Sequence, residues 1–203
     1  MKFKYLSLSS IISRLNLLSF YFSNVGKFKK LEFKALIIKP LRIEGKKYIS
    51  IYKNSVIKNL SWLMALKIDQ QEPELVIGEG CIIGDFNHIV AVRRVILGKN
   101  VLTANQVYIS DNLHGYDDIN TPVMHQPIRF KSEVNIGDGS WIGENVCIIG
   151  ANIGRNCVIG ANSVVTSDIP DYSIAVGAPA KVIKKYNLKT KVWEKCDENE
   201  VIH

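Results

Sequence analysis

Residues 136–147 read IGDGSWIGENVC, and residues 153–164 read IGRNCVIGANSV. Each stretch is a pair of six-residue units opened by isoleucine and glycine, with a small residue at the fifth place. The rhythm also runs upstream from Ile77 as IGEGCI, IGDFNH and IVAVRR. It then slips by two residues and continues as LGKNVL, TANQVY and ISDNLH. Further back, Ile51, Ile57 and Leu63 keep the step of six without the glycines. A period of six matches neither an amphipathic helix nor a simple alternating strand. It fits a prism whose three flat faces each take one short strand and one turn. The leading aliphatic points inward and stacks on its equivalent roughly eighteen residues later, one strand spacing of ~4.8 Å along the axis. Glycine after it keeps a side chain from crowding the corner.

About six coils then span residues 43–166, and each rests only on its neighbours, so the ends need caps. The expected organisation is an N-terminal helical cap at 1–42, an all-β column at 43–170 and a C-terminal segment with tail at 171–203. At 203 residues the chain can build one domain with a substantial core. The formal charge of +7 suits an acidic partner, such as a phosphorylated cofactor or an anionic membrane surface. The basic residues are dispersed along the repeats and no nucleic-acid-binding motif is present, so no nucleic-acid partner is expected.

The four cysteines form no CxxC pair and read as reduced thiols of a cytoplasmic protein, with Cys81 and Cys157 in an inward phase. Residues 8–22, LSSIISRLNLLSFYF, are too short and too polar for a membrane span and read as an amphipathic helix. Lys2, Lys4, Arg14, Lys27, Lys29 and Lys30 surround it. Packing against a subunit is its first use and peripheral contact with the inner face of a membrane its second.

The rhythm stops between Asp111 and Glu133, where DNLHGYDDINTPVMHQPIRFKSE contains two prolines and no six-residue period. A prism coil cannot absorb this stretch, so it should project from a corner. His114 then stands at the loop's base, with rigid coil on one side and open space on the other, the mounting that a general base needs.

The pattern resembles the hexapeptide-repeat acyltransferases, and within them the galactoside, maltose, O-antigen and capsule O-acetyltransferases. Three stretches carry the resemblance. Gly98–His114, GKNVLTANQVYISDNLH, is similar to the run that leads to the family's catalytic histidine. Many relatives have Asp-His-x-His there, whereas this chain has Asp111-Asn112-Leu113-His114. Residues 136–148, IGDGSWIGENVCI, resemble the IGxxxWIG segment, and residues 159–186, IGANSVVTSDIPDYSIAVGAPAKVIKKY, the closing signature. The resemblance implies a left-handed parallel β-helix, a homotrimer with clefts between subunits, and acetyl-CoA as donor without a metal.

By the same resemblance Trp141, Gly160, Ala161 and Thr166 contact the pantetheine arm, and Lys181 and Lys184 face the nucleotide phosphates. Ser167 stands where several relatives have lysine. The backbone N–H of Glu144 becomes the oxyanion donor, its carboxylate turned away. His114 acts as base, with Asp111 as its orienting partner, a contact to the acceptor or merely a turn residue. Asp85 and Asn87 lie near positions that touch the acceptor sugar; His125 is a bystander.

The chemistry suits the residue types. A sugar hydroxyl is a weak nucleophile at neutral pH, and imidazole can take its proton during attack. No GxSxG elbow suggests an acyl-enzyme, so transfer should be direct. The expected function is acetyl transfer from acetyl-CoA to a hydroxyl of a sugar or surface polysaccharide. An N-acyltransferase acting on an amino sugar and a non-catalytic scaffold are the alternatives. A zinc enzyme similar to the γ-class carbonic anhydrases needs three converging histidines, and the four present here are not spaced for it.

Overall fold

The computed structural model describes residues 18–196. Short strands stack in parallel on three faces. Face A holds Lys30–Leu31, Ile49–Ile51, Glu74–Ile77, Arg94–Leu97 and Val134–Ile136, extended by bridges at Ile153 and Ile169. Face B begins with Leu36–Ile37, Val56–Ile57, Ile82–Ile83, Leu102–Thr103, Trp141–Ile142 and Val158–Ile159. Face C holds Arg42–Glu44, Trp62–Ala65, His88–Ala91, Tyr108–Ser110, Cys147–Ile149 and Val164–Val165.

The leading residues are the core. Ile51 stacks on Ile77, Ile77 on Leu97 and Leu97 on Ile136, and all four are buried. Ile57 and Ile83 on face B and Leu63, Ile89, Ile109 and Ile148 on face C repeat the arrangement. The small fifth-place residues Cys81, Ser140, Cys157 and Ser163 are buried beside them. Glycine after the lead answers to crowding: a Cβ on Gly78 would meet the carbonyl oxygen of Gly98 at 2.3 Å. The left-handed residue that turns the corner lies two places further on. Gly80, Asn100, Gly139, Asn145, Asn156 and Asn162 all have positive φ there, a conformation that glycine and asparagine adopt most readily.

Two boundaries differ from expectation. The column begins at Lys30 rather than residue 43, because Leu31 and Ile37 already lie in register beneath Ile51 and Ile57. Glu32, Ile38 and Glu44 follow the leads of this first coil, which therefore lacks the glycine that marks Ile77, Ile83 and Leu97 further on. At the other end the parallel stack continues past residue 170, since Val158 and Ile159 pair with Ile174 and Ala175. Face B then passes into an antiparallel extension, Ser173–Gly177, Ala180–Asn187 and Val192–Lys195, which covers the last coil. At the opposite end residues 18–24 are helical and Phe20 and Tyr21 pack against the core. Most of the amphipathic 8–22 stretch lies outside the described residues. Among the described residues no helix is long and apolar enough to cross a membrane.

Residues 111–133 fold as a hairpin. Asn112–His114 pairs antiparallel with Ile128–Phe130, and Val123–His125 forms a 3-10 turn beyond them. Inside the turn region the Gln126 side chain donates to the carbonyls of Asp118 and Thr121, both at 2.8 Å. The segment thus has its own hydrogen-bonded order, which its composition does not reveal.

Burial pushes the thiol of Cys81 up to about 11 and raises that of Cys157. Thiol reagents attack the thiolate, so both cysteines should resist labelling in the native protein and react once it is denatured. Mass spectrometry after alkylation checks this. A second expectation concerns the column: Ile109→Ala should cost about 2–5 kcal/mol in chemical denaturation, the range for deleting a fully buried aliphatic side chain.

Candidate active site

The hairpin leaves face C after Ser110 and re-enters face A at Val134, so it stands on the edge between those faces. Its first residue is fixed by charge. Asp111 is fully buried, and its carboxylate accepts from the backbone N–H groups of Val92, Arg93 and Arg94 at 2.7–3.1 Å. The Asn112 amide donates to the same carboxylate at 2.9 Å. These three N–H groups belong to the two-residue slip in the repeat, where the chain bulges and its donors converge. Asp111 therefore anchors the hairpin, and the expected catalytic role does not hold: both oxygens are taken, and none of its hydrogen bonds reaches His114. Asn112, in the place of the relatives' first histidine, serves the same anchor.

His114 is exposed and lies opposite Ile128 in the hairpin stem. Thr166 sits on the same edge two coils further along, exposed, with its carbonyl accepting from Lys131 Nζ at 3.2 Å.

The other expected cofactor residues belong to face B and its edge with face C. Trp141 points outward, 49% exposed, and continues an apolar stripe with Ile82 and Leu102. Trp141 pairs with Val158, Val158 with Ile174 and Ile174 with Lys184. Three strand spacings separate the indole from that lysine, about 14 Å. Lys195 stands opposite Lys184, and Lys181 opposite Val176. The stripe thus passes from aromatic to aliphatic to basic, which fits an apolar arm ending in phosphates. Gly160 has a packing reason as well, since a Cβ there would meet Val176 Cγ1 at 2.7 Å.

Glu144 and Ala161 lie at the turn between faces B and C, where a side-chain ladder runs from coil to coil. The N–H of Asn59 donates to Asp85 Oδ1 at 2.8 Å, that of Asp85 to Asn105 Oδ1 at 2.8 Å, and that of Asn105 to Glu144 Oε2 at 3.2 Å. The next residue in this ladder is Ala161, whose side chain has no acceptor. Among the described residues the N–H of Glu144 therefore has no partner. Its carboxylate turns back to the N–H of Asn105.

The two residues expected near the acceptor lie in or beside the same ladder. Asn87 is buried; its amide donates to the Gly84 and Ala104 carbonyls at 2.7 and 3.0 Å and to Thr103 Oγ1 at 3.2 Å, while its oxygen accepts from the Val107 N–H at 2.8 Å. Every polar atom is used, so Asn87 holds the corner and offers nothing to a sugar. Asp85 is half-buried, with Oδ1 engaged by both the N–H and the amide of Asn59. It is a rung of the ladder.

One chain does not bring the expected residues together. His114 and Thr166 occupy the edge between faces C and A, whereas Trp141, Glu144, Gly160 and Ala161 occupy face B and its edge with face C. A cleft of about 930 Å³ on face A, bounded by Ile96, Asn135, Arg155, Asp168, Val182 and Cys196, holds none of them. His88 also stays apart: it stacks flat on Trp62 with ring centroids 4.2 Å apart, and burial pushes its imidazole below the usual histidine range. Sequence reasoning overlooked the face B stripe. The signal was the apolar residue preceding each lead on that face: Val56, Ile82, Leu102, Trp141, Val158 and Ile174.

Residues 133–167 match the family model described as hexapeptide repeat of succinyl-transferase. The chain is 42% identical over 121 residues to the putative lipopolysaccharide biosynthesis O-acetyl transferase WbbJ of Escherichia coli K12, covering 56% of this chain and 62% of that protein. It is 41% identical over 103 residues to the galactoside O-acetyltransferase of the same organism, covering 48% and 47%. The chain thus spans about half the length of these curated relatives. The crystal structure of a maltose O-acetyltransferase from Clostridium difficile 630 superposes with a TM-score of 0.55 at 27% identity, over 90% of this chain and 79% of that one. The left-handed β-helix implied by the resemblance is the architecture of this chain.

Asn87→Ala should behave as a structural lesion. Leaving its buried partners unsatisfied costs about 1–3 kcal/mol or more, so a lower melting temperature is expected with no selective rise in KM for an acceptor. A KM effect at unchanged stability would restore the sugar-binding role.

Proposed function

We propose that this chain, which carries the repeat and the coiled column of the hexapeptide acyltransferases it resembles, moves an acetyl group from acetyl-CoA to a hydroxyl of a sugar. The supporting similarity to a lipopolysaccharide O-acetyl transferase favours a surface polysaccharide or its precursor as acceptor. The observation that carries the reading is the face B stripe from Trp141 to Lys184, with the unpaired N–H of Glu144 beside it.

In this reading the pantetheine arm lies along Trp141, Val158 and Ile174, with Gly160 and Ala161 leaving room for it. Lys181 and Lys184 neutralise the nucleotide phosphates. The imidazole of His114 takes the proton of the acceptor hydroxyl as its oxygen attacks the thioester carbon. The carbonyl oxygen becomes an oxyanion and accepts from the Glu144 N–H, a donor fixed before the reaction and therefore stabilising at no reorganisation cost. Collapse breaks the carbon–sulfur bond, and the imidazolium returns the proton to the departing thiolate. Acetylated sugar and free coenzyme A result.

His114 and the stripe stand on different edges of the prism, so one active site needs two chains. A homotrimer of parallel columns satisfies this: the C–A edge of one copy lies against face B and the B–C edge of the next, giving three equivalent clefts. Ile82, Leu102 and Trp141 supply exposed apolar surface for that contact. The basic residues from Lys2 to Lys30 support a cytoplasmic place at the inner face of a membrane.

Thiol release from acetyl-CoA over a panel of sugars and amino sugars tests the chemistry. His114→Ala should lower turnover at least about a hundredfold, the lower range for a lost general base. Near-normal turnover removes the assignment, and release with amino sugars alone moves it to N-acyl transfer. Sedimentation should find three copies of the 22.8 kDa chain. A fully active monomer would remove the shared site.

A further inference from the structure

The hairpin that carries His114 has two ends, and Asp111 accounts for only one of them. The returning strand is held by Lys131. Its Nζ donates to the carbonyl of Ile149 at 2.6 Å and to that of Thr166 at 3.2 Å. Those carbonyls close face C in two successive coils, so one ammonium spans both. The aliphatic part of Lys131 crosses Gly150, where a Cβ would lie 2.8 Å from Lys131 Cδ. Gly150 has φ of +50°, so its backbone and its missing side chain both serve this crossing. The backbone N–H of Lys131 donates to the carbonyl of Asp111 at 2.8 Å, tying the two strands at their base.

The arrangement has a direction along the column. Asp111 fastens the outgoing strand to Val92, Arg93 and Arg94 in earlier coils, and Lys131 fastens the returning strand to later coils. Arg93 also meets the returning strand, with its guanidinium 5.8 Å from the Phe130 ring. His114 lies three residues beyond this doubly fastened base, paired with Ile128. A hairpin held at one end could still pivot along the axis. Held in both directions, it fixes where the imidazole stands relative to the edge where Thr166 lies.

We propose that Lys131 is a positioning residue for His114, clamping the hairpin stem to the two coils that end at Ile149 and Thr166. This rests on the reading of His114 as the general base. Lys131 touches neither donor nor acceptor in that reading and acts through the hairpin alone. A displacement of about 1 Å in a reacting group can cost on the order of a hundredfold in rate, so a slack stem should lower turnover and leave donor affinity intact.

Lys131→Met keeps the chain across Gly150 and removes the donors. Amide hydrogen exchange at 112–114 and 128–130 should quicken at least about tenfold against the wild type, with exchange in the coil cores unchanged. In the acetyl-transfer assay kcat should fall about 10- to 100-fold while KM for acetyl-CoA stays within about twofold, the size of effect seen when supporting contacts of a site are lost. Lys131→Arg, which can still reach both carbonyls, should recover most of kcat and most of the protection. Unchanged exchange in Lys131→Met overturns the clamp whatever the activity. Faster exchange with an unchanged kcat overturns positioning. Loss of coil-core protection in Lys131→Met, unrepaired by Lys131→Arg, would make the lysine a determinant of the whole fold and overturn the proposal. If the wild type transfers acetyl to no acceptor while the stem still loosens in the variant, the function fails and the clamp stands.

Discussion

Each coil of this protein is held at one strand spacing from the next by an aliphatic residue on each face, and nearly everything else follows from that spacing. Ile77, Leu97 and Ile136 on face A, or Ile89, Ile109 and Ile148 on face C, leave no freedom in register. A shift by one residue would turn the entire inward set outward. With register fixed, an outward residue is placed as firmly as an inward one. Trp141, Val158, Ile174 and Lys184 come into line because Ile142, Ile159 and Ala175 are stacked behind the first three. The face B stripe is the outer surface of the core.

The corners obey a second rule, that backbone donors must find partners. The parallel ladder satisfies donors within the faces, and at the turns side chains take over. Asn59, Asp85, Asn105 and Glu144 form such a relay. An alanine at the next level leaves one donor, the N–H of Glu144, without a partner among the described residues. In the proposed function that missing rung serves as the oxyanion donor, while Asp85 and Asn87 bond to the backbone of the neighbouring coils. A polar residue at a turn looks the same in a sequence whether it serves a ligand or the backbone of the adjoining coil.

The column was plainest where glycine followed the lead; Ile51, Ile57 and Leu63 were still legible by spacing alone, whereas Leu31 and Ile37, followed by Glu32 and Ile38, were passed over. The faces on which Trp141 and Glu144 stand could be read because both sit at fixed offsets from the buried lead Ile142. Asp111 was misjudged because its partners are backbone N–H groups of a bulge, which have no side-chain signature. Lys131 looked like one more basic residue, since its two acceptors are carbonyls brought together only by stacking. The order within residues 115–127 was hidden too, because it depends on Gln126 bonding to the main chain.

Residues 115–127 hang between two fixed posts, which separates their fate from that of the column. Lengthening a tethered loop is cheap, about 0.6 kcal/mol for each doubling. Insertions, deletions or a wholly different segment could therefore replace this stretch while the coils stay folded and the imidazole keeps its place. A scaffold so arranged can exchange one exposed cassette while the outward residues of its three faces keep their places.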